Sequence, residues 1–201
     1  ADRNNRLGHL SLADTAKFIK DMAAGLMVAH ELKIVHRDLK PENVMICRGQ
    51  DGVEYAVVID FGLAKERKAE GELQKLTATG IILGTPEFMS PEQLRGKPLD
   101  PRTDIYSLAL MTYEMLTGKL PFTGRTQQEM MIARLASDPV PLRRMRPELD
   151  FPEAVEKALN KAMARNPEDR YQTVVEFADA FAQAAGGVPA ESGLLGKLLG
   201  R

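Results

Sequence analysis

One stretch limits what this chain can fold into more than any other: His36-Arg37-Asp38-Leu39-Lys40-Pro41-Glu42-Asn43. Pro41 fixes its own φ and turns Lys40 away from helix, so the segment reads as an ordered, extended loop. The apolar run 44–46 follows, and Asp60-Phe61-Gly62 begins seventeen residues after Asn43. Runs 44–46 and 57–59, joined by a turn around Gly49 to Gly52, read as a hairpin. Such a hairpin delivers Asn43 and Asp60 to one rim. The fold must therefore gather an acid, a lysine, an amide and a second acid.

These residue types suit phosphoryl transfer. A carboxylate such as Asp38 can accept a hydroxyl proton and aim the oxygen. Lys40 can offset charge on a transferring phosphate, and Asn43 and Asp60 offer the hard oxygens that Mg²⁺ prefers. Such chemistry rests on positioning and electrostatics, so these groups suffice.

With these residues in view, the chain resembles the catalytic lobe of eukaryotic-like Ser/Thr protein kinases of the bacterial group. Downstream matches are Gly84-Thr85, Ser90-Pro91-Glu92, Asp104, Pro121-Phe122 and Arg170, in order over roughly residues 5 to 182. The resemblance implies a mainly α fold with a small β-hairpin, the large (C-terminal) lobe of a kinase, spanning 1–185. Residues 186–201 then form a flexible tail or linker start. It implies ATP as phosphate donor with two Mg²⁺ ions (Mn²⁺ as a substitute), and a protein bearing Ser or Thr as acceptor. Asp38 becomes the catalytic base and Lys40 the γ-phosphate contact. Asn43 and Asp60 become the metal ligands, and Thr85 a hydrogen-bond partner of the base and lysine. Met45 becomes the apolar floor under adenine, where the residues alone allow simple core. His36 packs on Phe61, although its place before an acid also suits a base or a metal ligand. Glu92 pairs with Arg170. Asp104 bonds the backbone of the catalytic loop, where position alone allows a plain helix-start carboxylate. Thr77 and Thr79 occupy autophosphorylation slots, and a phosphate there pairs with Arg37, otherwise a plain surface cation. Residues 86–89 line the pocket for the residue after the phosphoacceptor. Phe88 and Ser90 depart mildly from the common pattern, in which Tyr and Ala stand there.

The rest of the sequence supplies scaffold. Ser11 with Asp14 marks a helix start, and Ala16, Ile19, Ala23, Leu26 and Met27 recur at helical spacing to about Glu31. Residues 1–10 are polar and read as frayed. From Asp104 to Leu116 apolar residues occur nearly all round, the mark of a buried helix, which Gly118 ends and Pro121 keeps from resuming. Three more helices are predicted, over about 126–136, 152–164 and 173–185. Met130-Met131 reads as packing, and Arg143, Arg144 and Arg146 as a solvated cluster. Residues 63–83 have no sustained period and read as a mobile loop.

The chain of 201 residues is 44% apolar with a net charge of −1, which favours neither disorder nor a nucleic-acid partner. No run is long enough for a membrane span, so no membrane contact is expected from this segment. The lone Cys47 reads as a buried, reduced thiol, and cysteine scarcity suits the cytoplasm, with membrane anchoring left open for a longer polypeptide. No Gly-rich loop or strand lysine precedes residue 36, so the small kinase lobe is expected to be missing and the fragment inactive by itself. Two other readings stand beside the kinase lobe: a non-catalytic interaction module derived from one, and a small-molecule phosphotransferase. Lys40, Thr85 and Ser90-Pro91-Glu92 weigh against the last.

Overall fold

The structure, a computed structural model, describes residues 8–61 and 86–186. Helix α1, Leu12–Glu31, starts where the sequence places it: Ser11 Oγ accepts the Asp14 N–H at 3.0 Å. Its apolar stripe, with Ile19, Met22 and Leu26 almost wholly buried, faces the core. Residues 1–7 of the segment expected to fray lie outside the described residues, and Leu10 is held rather than frayed. Leu10 is buried and its N–H donates to the Met115 carbonyl at 2.6 Å.

After α1 the loop runs through a 3₁₀ turn, Pro41–Asn43, into strands β1, Val44–Arg48, and β2, Glu54–Val58. The strands pair antiparallel in the register Val44↔Val58, Met45↔Val57, Ile46↔Ala56. The face carrying Ala56 lies on α1, where Asp21 accepts the Ala56 N–H at 3.0 Å. Along the hairpin Met45, Ile46, Val53 and Tyr55 stay exposed. Cys47 is half-buried rather than buried: β2, not β1, is the strand that packs on α1.

A second 3₁₀ turn, Pro86–Phe88, leads into the one-turn helix α2, Pro91–Leu94. Ser90 caps α2 reciprocally: its Oγ accepts the Gln93 N–H, and Gln93 Oε1 accepts the Ser90 N–H. An alanine at position 90 could not close this capping box.

Helix α3, Arg102–Thr117, is the hub. Ile105, Tyr106, Leu108, Ala109 and Leu110 have no exposed surface, as an all-round apolar helix requires. Gly118 ends it at φ 72°. Around α3 pack α1, the short helix α5 (Leu142–Met145), α6 (Glu153–Ala162) and α7 (Val174–Ala184). Helix α4, Gln127–Ala136, leans instead on α2 and on the Pro86–Phe88 turn. The result is a mainly helical lobe whose described residues hold one two-stranded sheet. No described helix is long and apolar enough to cross a membrane.

The arginine cluster is not merely solvated. Arg146 donates to the Thr117 carbonyl at 2.8 Å and Arg143 to the Phe151 carbonyl at 3.1 Å, so two of the three close loop ends. Arg144 is exposed.

Candidate active site

The loop from His36 to Asn43 is held from below by one carboxylate. Asp104, with no exposed surface, accepts the backbone N–H of His36 at 2.8 Å and of Arg37 at 3.0 Å. His30 Nε2 lies 2.8 Å from the same carboxylate and donates to it. Arg37 has a φ of 65°, in the left-handed region that costs a side-chain-bearing residue about 1–2 kcal/mol. Three bonds hold it there: those from the His36 and Arg37 N–H groups to Asp104 and that from Gln93 Nε2 to the Arg37 carbonyl, 2.7 Å.

His36 is a linker. Its Nε2 donates to the Ile59 carbonyl at 3.1 Å, which leaves Nδ1 to accept the Asp38 N–H at 3.3 Å. Its ring centroid lies 4.9 Å from that of Phe61. One buried imidazole thus joins the backbone at Asp38 to the strand end that leads into Asp60.

On this base the polar groups converge. Lys40 Nζ lies 3.3 Å from Asp38 Oδ2. Asn43, itself buried, donates its Nδ2 to the Asp38 carbonyl at 2.7 Å and to Asp38 Oδ2 at 3.3 Å. Its amide oxygen is then left for another partner. Asp60 is positioned by backbone: Ile59 N–H donates to the Asn43 carbonyl at 2.9 Å, extending the hairpin ladder to the residue before it. Asp60 is exposed, sits at φ 58°, and has no hydrogen-bond partner among the described residues. Strained backbone of this kind gathers at functional sites. The amide oxygen, and a carboxylate without a partner among the described residues, suit a hard divalent cation that takes its remaining ligands from phosphate and water. No group of three or more His, Cys, Asp or Glu forms a closed metal cage among the described residues. Met45, on β1, is exposed where the rim opens.

The second wall is the segment 86–89. A small cavity lies between Asp38, Leu39 and Lys40 on one side and Phe88 and Met89 on the other. Behind it Glu92 meets Arg170 in a buried, two-pronged pair, 2.7 Å in each prong. Burial pulls the Glu92 carboxyl up, but the bonds and charge of Arg170 outweigh it and leave it below the ordinary value of 4.5. Thr103 also donates to Glu92, at 2.8 Å.

Two contributors escape a reading of the sequence. Gln93 ties α2 to the loop through Arg37. Arg134, fully buried on α4, donates to three carbonyls of the segment 86–89. A charged residue on an amphipathic helix reads as part of its wet face, so no local pattern marks it.

With the loop, the rim and the pinned second wall in place, comparison with known proteins is informative. Residues 1–181 match the protein kinase domain. The chain belongs to the protein kinase family. It is 36% identical over 161 residues to the serine/threonine-protein kinase pkn3 of Myxococcus xanthus, covering 80% of this chain and 29% of that protein. It is 36% identical over 174 residues to the serine/threonine-protein kinase PknB of Mycobacterium tuberculosis, covering 87% of this chain and 26% of the other. The chain therefore spans under a third of the length of these kinases. Among solved structures, the PknI kinase domain of Mycobacterium tuberculosis superimposes with a TM-score of 0.62 at 26% identity, over 88% of this chain and 57% of that one. Of the kinase site residues expected from the sequence, Thr77, Thr79 and Thr85 lie outside the described residues. Asp38, Lys40 and Asn43 stand in direct contact, Asp60 enters beside them through the backbone, and His36, Phe61 and Asp104 lie beneath.

Proposed function

We propose that this chain is the large lobe of a Ser/Thr protein kinase that transfers the γ-phosphate of ATP to protein hydroxyls. The observation that carries this is the Asp38 carboxylate held between Lys40 Nζ and Asn43 Nδ2, each 3.3 Å away, on a loop fastened from below by Asp104. Asp38 accepts the proton of a substrate hydroxyl and holds the oxygen in line for attack. Lys40, already beside it, neutralises charge on the phosphoryl oxygens. Asn43 and Asp60 would hold Mg²⁺, which would neutralise charge on the phosphates when bound. Met45 presents the apolar surface for the adenine ring. Thr85 adds a hydroxyl to the base and lysine, and phosphate on Thr77 or Thr79 pairs with Arg37 to set the activation state.

The test uses the natural polypeptide that contains these residues. Asp38→Asn abolishes transfer to a Ser/Thr peptide and leaves the melting temperature unchanged; retained turnover removes Asp38 from its role. A second reading, an interaction module without catalysis, draws on the exposed hairpin residues Met45, Ile46, Val53 and Tyr55. Mass spectrometry of Thr77 and Thr79, alongside an ATP-dependent transfer assay, separates the two: silence in both favours the module.

A further inference from the structure

All four backbone carbonyls of residues 86–89 are held by side chains from two helices. Arg134 Nη1 donates to the Pro86 carbonyl at 2.6 Å and the Met89 carbonyl at 2.9 Å, and Nη2 donates to the Glu87 carbonyl at 2.6 Å. Ser107 Oγ, on α3, donates to the remaining one, Phe88, at 2.8 Å. Arg134 is 1% exposed, and among the described residues no carboxylate lies within ion-pair distance of it. Its charge is met by carbonyl dipoles and by the Phe122 ring, 5.8 Å from the guanidinium carbon. Burial of a cation without a paired acid is costly, and burial holds its pKa below the ordinary arginine value. A side chain placed at that cost for packing alone would be better replaced by leucine. The planar fork is what three converging carbonyls require, and a lysine cannot reproduce it.

The opposite side of the same segment faces the site. Phe88 and Met89 line the cavity with Asp38, Leu39 and Lys40. We infer that Arg134 is a positioning residue that fixes the 86–89 wall from behind, and so sets the preference of the kinase for an apolar residue directly after the acceptor Ser or Thr. This rests on the kinase reading above.

The test compares Arg134→Lys and Arg134→Met with the parent, in the natural polypeptide. Two peptides are used that differ only after the acceptor, Leu in one and Asp in the other. The parent prefers Leu. In both variants the ratio of kcat/KM between the peptides falls about tenfold, carried by KM of the Leu peptide more than by kcat, the size expected for losing charge-assisted bonds. Amide exchange at Met89, whose N–H donates to the Pro86 carbonyl at 3.2 Å, speeds up in the same variants. Equal losses on both peptides, or an unchanged ratio, overturn the inference and leave Arg134 a stabilising residue only. Unchanged exchange at Met89 overturns the clamp itself. If the parent phosphorylates neither peptide, the kinase reading falls and the specificity role with it, while exchange still reports whether Arg134 holds the wall.

Discussion

Asp104 accepts the backbone N–H of Arg37 at 3.0 Å, across 67 residues of sequence and from the deeply buried helix α3. The bond holds a residue at φ 65° immediately before Asp38. The proposed catalytic acid is thus aimed by a second carboxylate, buried beneath the loop. Replacing Asp104 with Ala removes the acceptor for two amides and for His30 together. Hydrogen bonds to a charged group contribute about 1.5–3 kcal/mol each and are not additive, so a loss of about 3 kcal/mol or more is expected. Urea unfolding of the chain measures it. A loss below about 1 kcal/mol would mean that water replaces the carboxylate and that the loop holds its own shape.

The pair Glu92 and Arg170 makes stability depend on acid. The Glu92 carboxyl sits below its ordinary value of 4.5 in the folded chain because Arg170 outweighs burial. A carboxylate depressed on folding contributes stability that is present above 4.5 and fades as pH falls through the lower folded value. Urea midpoints from neutral pH downward should drop more steeply in the parent than in Glu92→Gln. At neutral pH that variant, which leaves Arg170 buried without its counter-ion, should lose about 3–5 kcal/mol. Parallel curves for the two proteins would detach the acid sensitivity from this pair.

Gln93 offers a narrower test of the same loop. Its Nε2 donates to the Arg37 carbonyl at 2.7 Å while its Oε1 accepts the Ser90 N–H at 2.9 Å. Gln93→Ala loses both bonds and should cost about 1–2 kcal/mol. Ser90→Ala loses only the cap and should cost about 1 kcal/mol. If the two variants unfold alike, the link to Arg37 adds nothing to stability, and the strained conformation is held by Asp104 alone.

How far the sequence reaches is seen in particular residues. Helices α1, α3, α6 and α7 announce themselves because each has a start signal or an apolar period, and burial follows that period. Ser11 marks the start of α1 at the position where it caps. The hairpin strands are legible to within a few residues, since apolar runs flank a glycine-bounded turn. Contacts made across long separations are different. Glu92 and Arg170 stand 78 residues apart, and no local pattern joins them; only family resemblance suggested the pair. Arg134 is harder still, because a buried cation whose partners are backbone carbonyls leaves no complementary side chain to find. The half-burial of Cys47 and the carbonyl partners of Arg143 and Arg146 are hidden for the same reason. Exposure and backbone partners belong to tertiary packing and not to residue type.

Gly118 shows how tightly residues 8–10 close on α3, and it separates two effects that usually arrive together. Its φ is 72°, and a Cβ there would stand 2.2 Å from the Gly8 carbonyl oxygen. Gly96 has a similar φ of 61°, but a Cβ there would meet nothing within 4 Å. Gly96→Ala therefore carries only the left-handed cost, about 1–2 kcal/mol. Gly118→Ala carries that cost and must also push residue 8 away, which strains the neighbouring bond from Leu10 N–H to the Met115 carbonyl. Urea unfolding should place Gly118→Ala at least about 1 kcal/mol below Gly96→Ala. Faster amide exchange at Leu10 should accompany it in the first variant and not in the second. Equal stabilities and an undisturbed Leu10 amide would show that the segment before α1 is not packed against the end of α3.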